Sequence, residues 1–181
     1  MMKKICNLLM RIYYVYIKRD NVAFAKKLGV RIGKKCQILA NPQKCFGTEP
    51  WLITLGDHVD VTADVRFLTH EGALWCVREL CKEYADCDLF APTVVGDNVL
   101  IGLGTLIMPG VHIGNNVVIA AHSVVTKDIE DGMIVAGIPA KPISTIERFI
   151  EKLPGRDLFH TKKMSAEEKR KYLKYIHPEW F

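Results

Sequence analysis

Three of the six histidines occupy the same place in a six-residue pattern of small and aliphatic residues. His58, His70 and His122 each stand at the fourth position of such a hexad, where a side chain is expected to point outward. Only His70 is followed by a long stretch that leaves the pattern, at about residues 71–94. Long loops within compact domains are usually functional, and imidazole exchanges protons near neutral pH. We therefore predict that His70 is the floor of a cleft whose wall is this loop.

A histidine base often works with a carboxylate that fixes which ring nitrogen carries the proton. Asp64 lies one hexad before His70 at the same position, and Glu71 is adjacent to it. Glu49 lies in "GTEPW", a stretch that interrupts the six-residue pattern just as the later loop does. The alternative is that these acids are solvated surface residues. Glu49 is favoured because its stretch interrupts the pattern, as the loop after His70 does.

From Val95 onward the chain repeats every six residues. The first position is aliphatic in six consecutive hexads, the second is mostly small, and the fifth is small or β-branched throughout. A period of six does not fit an α-helix, and it predicts a coil with three flat faces and three hexads to a turn. We expect position one to point to the axis and position five to fill the space beside it. We expect position two to be small because the backbone turns tightly there.

The repeat occupies roughly residues 29–143 and is flanked by two predicted helical segments. Residues 1–28 show apolar residues at helical spacing with basic residues among them. They form a helix that packs on the main domain or a neighbouring subunit, or one that rests on an anionic bilayer. Arg11 interrupts its apolar run, so we do not expect a signal peptide. Residues 144–181 predict a helical tail, in which Ser165 and Glu168 cap the last helix.

Composition limits the classes of partner. The 181 residues carry a net charge of +5 with a pI near 8.9, which favours anionic partners or describes a mildly basic globular protein. No recognition motif for nucleic acid is present, so we expect no nucleic-acid partner. The six cysteines form no CxxC pair, so we expect reduced thiols, no metal and a cytoplasmic location. A peripheral position at the inner membrane face, through the basic N-terminal helix, is a further expectation.

The tandem pattern of an aliphatic residue, a small residue and a later small or β-branched one resembles the hexapeptide-repeat acyltransferases. The likeness covers roughly Val30 to Ile143 and includes the ending "AGIPAKPI", Ala136–Ile143. The stretches "FGTEPWLITLGDHV" and "THEGALW" look like the branch that O-acetylates surface sugars and is related to the galactoside and maltose acetyltransferases. The resemblance implies a mainly β fold, a left-handed parallel β-helix with an N-terminal helix, an extruded loop and C-terminal helices.

The same resemblance implies an activity. His70 matches the general base that takes a proton from a sugar hydroxyl while that oxygen attacks the thioester of acetyl-CoA, with direct transfer and no acyl-enzyme. The acceptor would be a sugar or glycan, such as a surface-polysaccharide unit or its precursor. A backbone N–H of Gly102 or Gly104 is a candidate oxyanion donor. A homotrimer is implied, with the active site between subunits.

Further site residues complete the prediction. Glu49 and Asp64 are candidates, from their places in the repeat, to bind the acceptor or orient His70, and Trp75 and Trp51 are aromatic residues that could stack on a sugar ring. The resemblance adds Asn41 as an acceptor-binding residue and the donor-binding residues by position. Donor binding falls to Gly102, Leu103, Ala121, Thr126, Lys127 and Lys141. His122 stands where the family tends to have glycine, and it could contact the donor itself.

Rival functions stay open. An N-acetyltransferase acting on an amino sugar would use the same base, and serine acetyltransferase usually has a larger N-terminal domain than 28 residues allow. The γ-type carbonic anhydrase needs two histidines five residues apart, whereas His112 and His122 are ten apart. A non-catalytic scaffold or binding protein on the same coil is the rival from another class.

Overall fold

The computed structural model describes residues 12–181, which divide into two units, one up to Arg148 and one from Phe149 to Phe181. A π-helical turn spans Ile12–Ile17, and 3-10 turns span Pro50–Leu52, Lys82–Tyr84, Leu153–Gly155 and Pro178–Trp180. The α-helices are α1 (Asn21–Leu28), α2 (Pro42–Cys45), α3 (Leu74–Leu80), α4 (Ile146–Glu151) and α5 (Ala166–Ile176). None of the helices in residues 12–181 is long and apolar enough to cross a bilayer.

Thirteen short strands in the described residues form three sheets. The first sheet has the order β1-β3-β6-β9, from Arg31–Ile32, Ile53–Leu55, Thr93–Val95 and His112–Ile113. The second has the order β13-β12-β10-β7-β4-β2, from Ala140–Thr145, Met133–Gly137, Val118–Ile119, Val99–Ile101, Val59–Val61 and Gln37–Ile38. The third has the order β11-β8-β5, from Val124–Val125, Leu106–Ile107 and Arg66–Phe67. Every pairing is parallel except that of β12 with β13.

The six-residue period produces this arrangement because consecutive hexads enter the three sheets in turn. Residues eighteen apart become neighbours in one sheet, as Ile101 pairs with Ile119 and Ile107 with Val125. The residues at position one are all at most 3 % exposed, and they are Val95, Ile101, Ile107, Ile113, Ile119 and Val125. Position five is buried as well, at Val99, Thr105, Val111, Val117, Ser123 and Ile129. The predicted three-sided parallel coil with an aliphatic axis is confirmed.

The predicted reason for small residues at position two is wrong. Positive φ angles fall at position four instead, as at Asn98 (57°) and Asn116 (56°), so the tight corner lies there. The glycines at position two lie against the backbone of the next coil. A Cβ atom on Gly56 would stand 2.6 Å from the carbonyl oxygen of Gly96. Stacking of successive coils therefore excludes a side chain at these positions.

The segment after His70 leaves the coil and carries α3 and a 3-10 turn. Its two ends are joined by backbone hydrogen bonds from Ala91 N to Thr69 O (3.0 Å) and from Glu71 N to Leu89 O (2.9 Å). The coil resumes at Thr93, so the predicted insertion, 71–94, is slightly too long. Within the loop the Arg78 guanidinium donates two hydrogen bonds to the carbonyl of Cys87 and pairs with Asp88. These contacts give the loop a definite shape.

Helix α1 packs on the N-terminal end of the coil. The Asp20 carboxylate caps it by accepting from Ala23 N (2.8 Å), and Phe24 and Ala25 are fully buried. The first eleven residues of the predicted N-terminal helix lie outside the described residues. In the C-terminal unit, α5 begins with a capping box in which Ser165 and Glu168 bond each other's backbone N–H.

Candidate active site

Glu49 and His70 meet at the base of the extruded loop. The Oε2 atom of Glu49 lies 3.0 Å from Nδ1 of His70, and the Thr69 hydroxyl donates to the same oxygen at 2.7 Å. The Glu49 side chain is 16 % exposed and the His70 side chain 50 % exposed. The carboxylate is therefore mostly enclosed by protein, while the imidazole faces a space that a ligand can enter.

The electrostatics fix the state of the pair. Partial burial raises the pKa of Glu49, but hydrogen bonds from the side chains of Thr48, Thr69 and His70 outweigh it and hold that pKa below its ordinary value. An ionised carboxylate only accepts hydrogen bonds. Nδ1 of His70 therefore carries the proton, and the lone pair of a neutral ring lies on Nε2. A ring in this tautomer can accept a proton from a substrate at Nε2.

Glu49 reaches His70 because the first coil lacks a strand in the third sheet. In place of that strand the chain forms α2, and then the 3-10 turn Pro50–Leu52, which Glu49 precedes. Phe46, fully buried, stacks on Phe67 with ring centroids 5.5 Å apart and anchors this excursion against β5. Phe67 lies three residues before His70, so this contact holds the excursion that leads to Glu49 against the strand that leads to His70.

The other two candidate carboxylates lie elsewhere. Glu71 accepts a hydrogen bond from Ala73 N (3.0 Å) inside the loop. Asp64 stands at an exposed corner with a positive φ of 58°. Among the residues that the structure describes, no hydrogen bond or ion pair joins either of them to His70.

A cavity opens beside the pair. It has a volume of about 170 Å³ and is lined by Glu49, Trp51, Leu52 and Phe90. The Phe90 ring stands edge-on to the His70 ring at 6.2 Å between centroids. Trp51 is 55 % exposed, so much of its surface is open to a ligand. The wall of the cavity is therefore largely apolar and aromatic, with the Glu49 carboxylate as its one acidic side chain.

Two other predicted acceptor residues do not line this cavity. Trp75 lies on α3 with 79 % of its surface exposed. The Asn41 side chain caps α2 by accepting from Gln43 N (3.1 Å), which gives it a structural task. Thr69 is a residue that the sequence analysis missed. Its role appears only in the structure, where its buried hydroxyl bonds Glu49.

A second feature runs along the corner between the third and first sheets. His70 comes three residues after β5, and Lys127 comes two residues after β11. In the third sheet β8 lies between β5 and β11, so His70 and Lys127 are two coils apart. At about 4.8 Å for each strand, the two coils lie about 10 Å apart. A cavity of about 340 Å³ on this corner is lined by Glu71, Leu89, Ala91, Met108, Pro109 and Thr126.

The two predicted donor-binding lysines share one cavity near the end of the coil. Lys127 and Lys141 both line a space of about 320 Å³, and both are exposed. Its floor is apolar, from Val125, Ile129, Met133, Val135 and Ala140, and Asp128 and Glu130 stand at its rim. Thr126 belongs to the neighbouring cavity towards His70.

The remaining donor-binding candidates lie on a different corner, between the second and third sheets. Gly102 and Leu103 follow β7, and Ala121 follows β10. The N–H of Gly102 donates to Ile119 O (2.8 Å) and the N–H of Gly104 donates to Ala63 O (3.0 Å). Both donors are engaged within the coil, so the prediction that one of them stabilises an oxyanion is wrong.

Residues 12–181 contain no group of three or more His, Cys, Asp and Glu side chains that could hold a metal ion. The five cysteines in this range are free thiols. Cys45 is fully buried, and burial raises the pKa of its thiol, which makes the thiolate inaccessible as a nucleophile.

Comparison with known proteins places this geometry in a family. Residues 92–127 match the description "Bacterial transferase hexapeptide (six repeats)". Protein CapG of Staphylococcus aureus is 45 % identical over 148 residues, which is 82 % of this chain and 84 % of that protein. The galactoside O-acetyltransferase of Escherichia coli is 35 % identical over 99 residues, covering 54 % of this chain and 46 % of that protein.

A solved structure has the same fold. The hexapeptide-repeat acetyltransferase of Vibrio cholerae O1 biovar eltor, complexed with acetyl coenzyme A, has a TM-score of 0.57. It is 24 % identical and covers 75 % of this chain and 82 % of its own chain. The fold and the extent of the likeness to Protein CapG together define the class. The chain belongs to the hexapeptide-repeat transferase family.

Proposed function

We propose that the protein transfers an acetyl group from acetyl-CoA to a hydroxyl group of a sugar, with His70 as the general base. It is an acetyltransferase that depends on acetyl-CoA, as the family implies. The observation that carries the sugar acceptor and the role of His70 is the Glu49–His70 pair beside a cavity with an aromatic wall. Galactoside O-acetyltransferase, a relative with a sugar acceptor, supports the same choice.

The chemistry uses one proton and one acyl group. The Nε2 atom of His70 takes the proton from the sugar hydroxyl as that oxygen attacks the thioester carbonyl. The bond from the carbonyl carbon to sulfur then breaks, and the imidazolium returns the proton to the departing thiolate. Glu49 stabilises the imidazolium that forms between these steps, because its carboxylate is ionised and 3.0 Å away. The products are an acetyl ester and free CoA, with no acyl-enzyme.

The donor would lie along the corner that joins His70 to Lys127. An extended pantetheine arm can cover the two coils, about 10 Å, that separate the imidazole from the cavity lined by Lys127 and Lys141. Lys127 and Lys141 would bind the phosphates at the far end, and Thr126 would contact the arm between. At the other corner, the exposed residues Leu103 and Ala121 would contact the donor, with Gly102 directly before Leu103.

A homotrimer would unite the two corners. Within one chain, Thr126 and Lys127 lie on the corner after the third sheet, whereas Leu103 and Ala121 lie on the corner before it. Both sets would contact one donor if one subunit presents the first corner and its neighbour presents the second. A cyclic trimer satisfies this three times over with a single kind of interface. We propose that the coil is left-handed, as in the acyltransferases that the sequence resembles.

The cytoplasm is the proposed site of action, because free thiols persist in a reducing compartment. An amino sugar is the alternative acceptor, since an amine would lose its proton to the same base.

The experiment is an assay of thioester consumption with acetyl-CoA and a panel of sugars, nucleotide sugars and amino sugars. Mass spectrometry of the product then distinguishes an ester from an amide, and light scattering gives the number of subunits. Acetylation of a sugar hydroxyl by a trimer supports the proposal. Exclusive amide formation would replace the acceptor class, and a fully active monomer would contradict the shared donor groove.

A further inference from the structure

The charge of the chain is divided very unequally along its length. The first 39 residues contain ten basic residues and one acidic residue, a net charge of +9. Residues 40–181 contain fifteen basic and nineteen acidic residues, a net charge of −4. The overall excess of +5 is therefore not a general property of the surface. It belongs to one segment, and such asymmetry is typical of a segment that meets an anionic partner.

In the part of the segment that the structure describes, the fold gathers the basic residues at one end of the coil. Strands β1 and β2, which lie within the last part of this segment, are terminal strands of the first and second sheets. Helix α1 packs against both, and the Tyr14 ring stacks on the buried Phe24 ring at 5.7 Å, which fixes the preceding turn on α1. We define the cationic end as the exposed residues Lys18, Arg19, Lys26, Lys27, Lys34 and Lys35.

The fold does not neutralise these charges. Within residues 12–181, none of the six takes part in an ion pair with a carboxylate. Asp20, the one acid in the segment, is used as the N-cap of α1. Lys26 and Lys27 do interact favourably with the C-terminal dipole of α1. That interaction does not account for the other four, which lie outside the helix.

Exposed apolar side chains accompany the cations. Tyr13 is 48 % exposed and Ile17 is 69 % exposed, and both lie in the turn next to Lys18 and Arg19. The ammonium group of Lys18 lies over the Tyr14 ring, 5.6 Å from its centroid. Cations beside exposed apolar and aromatic groups are typical of segments that lie in the headgroup region of a bilayer. A nucleic-acid surface would use the charges but would not need Ile17.

We propose that the cationic end rests on an anionic lipid bilayer, with the coil standing away from the membrane. This inference goes beyond the proposed reaction and needs no part of its active site. The trimer of the proposed function would strengthen it. Because a cyclic threefold axis keeps the polarity of each subunit, all three cationic ends lie on the same side, and three weak contacts act together.

The test measures binding of the full chain to lipid vesicles by co-sedimentation. Vesicles of phosphatidylcholine alone are compared with vesicles that contain about 30 mol% phosphatidylglycerol, at about 0.1 M and about 0.5 M salt. We expect binding to the anionic vesicles only, and a loss of at least about tenfold at the higher salt concentration. Equal binding to neutral vesicles, or none to anionic ones, would overturn the proposal.

A pair of variants separates this surface from net charge. The combined variant Lys18→Gln, Arg19→Gln, Lys26→Gln and Lys27→Gln should lower vesicle binding by at least about tenfold. The matched control Lys162→Gln, Lys163→Gln, Lys169→Gln and Arg170→Gln removes the same charge from exposed residues of the C-terminal unit. It should bind within about twofold of the wild type. Equal losses in both variants, or capture of RNA in preference to vesicles, would refute a lipid surface.

Acetyl transfer to a free sugar should be unchanged in both variants, since neither touches the active site. If transfer is absent from the wild type while vesicle binding is present, the reaction fails and the membrane surface stands. If transfer is present and vesicle binding is not, the membrane surface fails alone.

Discussion

The Oε2 atom of Glu49 lies 3.0 Å from Nδ1 of His70, although the two residues are twenty-one positions apart and belong to different coils. The contact exists because the chain leaves the coil twice, once before Pro50 and once after His70. Thr69, only 2 % exposed, donates to the same carboxylate oxygen and fixes its direction. The proposed reaction depends on this arrangement, because the carboxylate decides which ring nitrogen can accept a proton from a substrate.

Replacing Glu49 tests whether it orients His70. Glu49→Gln should lower kcat by at least about tenfold and by up to about 10⁴-fold, the size seen when an amide replaces the carboxylate of a Ser-His-Asp triad. The amide can donate to Nδ1 and so stabilise the wrong tautomer. Glu83→Gln is the control, because Glu83 is an exposed acid of the extruded loop that lines none of the three cavities. A normal kcat for Glu49→Gln, or equal losses in the two variants, would remove Glu49 from the mechanism.

The pH dependence of stability should reveal the ionised Glu49. Its pKa is held below the ordinary value in the folded state, so its contribution to stability is complete above the ordinary carboxyl pKa of about 4.3. That contribution is lost as the pH falls from there through the lowered pKa. The wild type should therefore exceed Glu49→Gln in free energy of unfolding near neutral pH, and the difference should shrink in acid. Urea unfolding at a series of pH values measures it, and a constant difference would contradict the assignment.

Much of the coil is predictable from the sequence because the period is set by local chemistry. An aliphatic residue every sixth position can be buried only if the chain turns three times in eighteen residues, and Ile107 and Val125 meet as that requires. The reason why position 56 requires glycine was not predictable, because it depends on how closely the backbone of the next coil approaches. A left-handed corner and a close stacking contact both select small residues, and a single chain does not distinguish them.

The candidate site was predictable only in part. The interruption after His70 and the one around Glu49 are visible as breaks in the period, which is why both residues could be named. Their contact depends on how two irregular excursions fold against each other, as do the places of Trp75 and Asn41. Thr69 was missed because a threonine beside a histidine carries no signal until its buried hydroxyl is seen to bond Glu49.

Lys127 and Lys141 should affect binding of the donor and leave binding of the acceptor unchanged. Lys127→Gln and Lys141→Gln should each raise the KM for acetyl-CoA by about tenfold, because each loses a charged contact with a phosphate. The KM for the sugar and kcat should change by less than about twofold. Lys44→Gln, an exposed lysine on α2, is the matched control. A rise in the KM for the sugar alone would show that the donor lies elsewhere.

Stacking of the coils should make Gly56 intolerant of a side chain. A Cβ atom there would stand 2.6 Å from Gly96 O, so Gly56→Ala should lower the free energy of unfolding by about 1–3 kcal/mol. Gly72→Ala is the control, because a Cβ atom at Gly72 in the loop meets nothing within 4 Å. Urea unfolding compares them. Equal stability of the two variants would show that the coils can separate without cost.

The most direct measurement is the rate of acetyl transfer by His70→Ala beside that of His58→Ala. Both histidines stand at position four of a hexad, but His58 bonds Asn98 (2.7 Å) on another corner, away from Glu49. Loss of the general base should reduce kcat by about 10²–10⁴-fold in His70→Ala, with folding and the KM for acetyl-CoA preserved. His58→Ala should keep the wild-type kcat. A His70→Ala enzyme that turns over at the wild-type rate would contradict the central claim that this imidazole takes the proton from the acceptor.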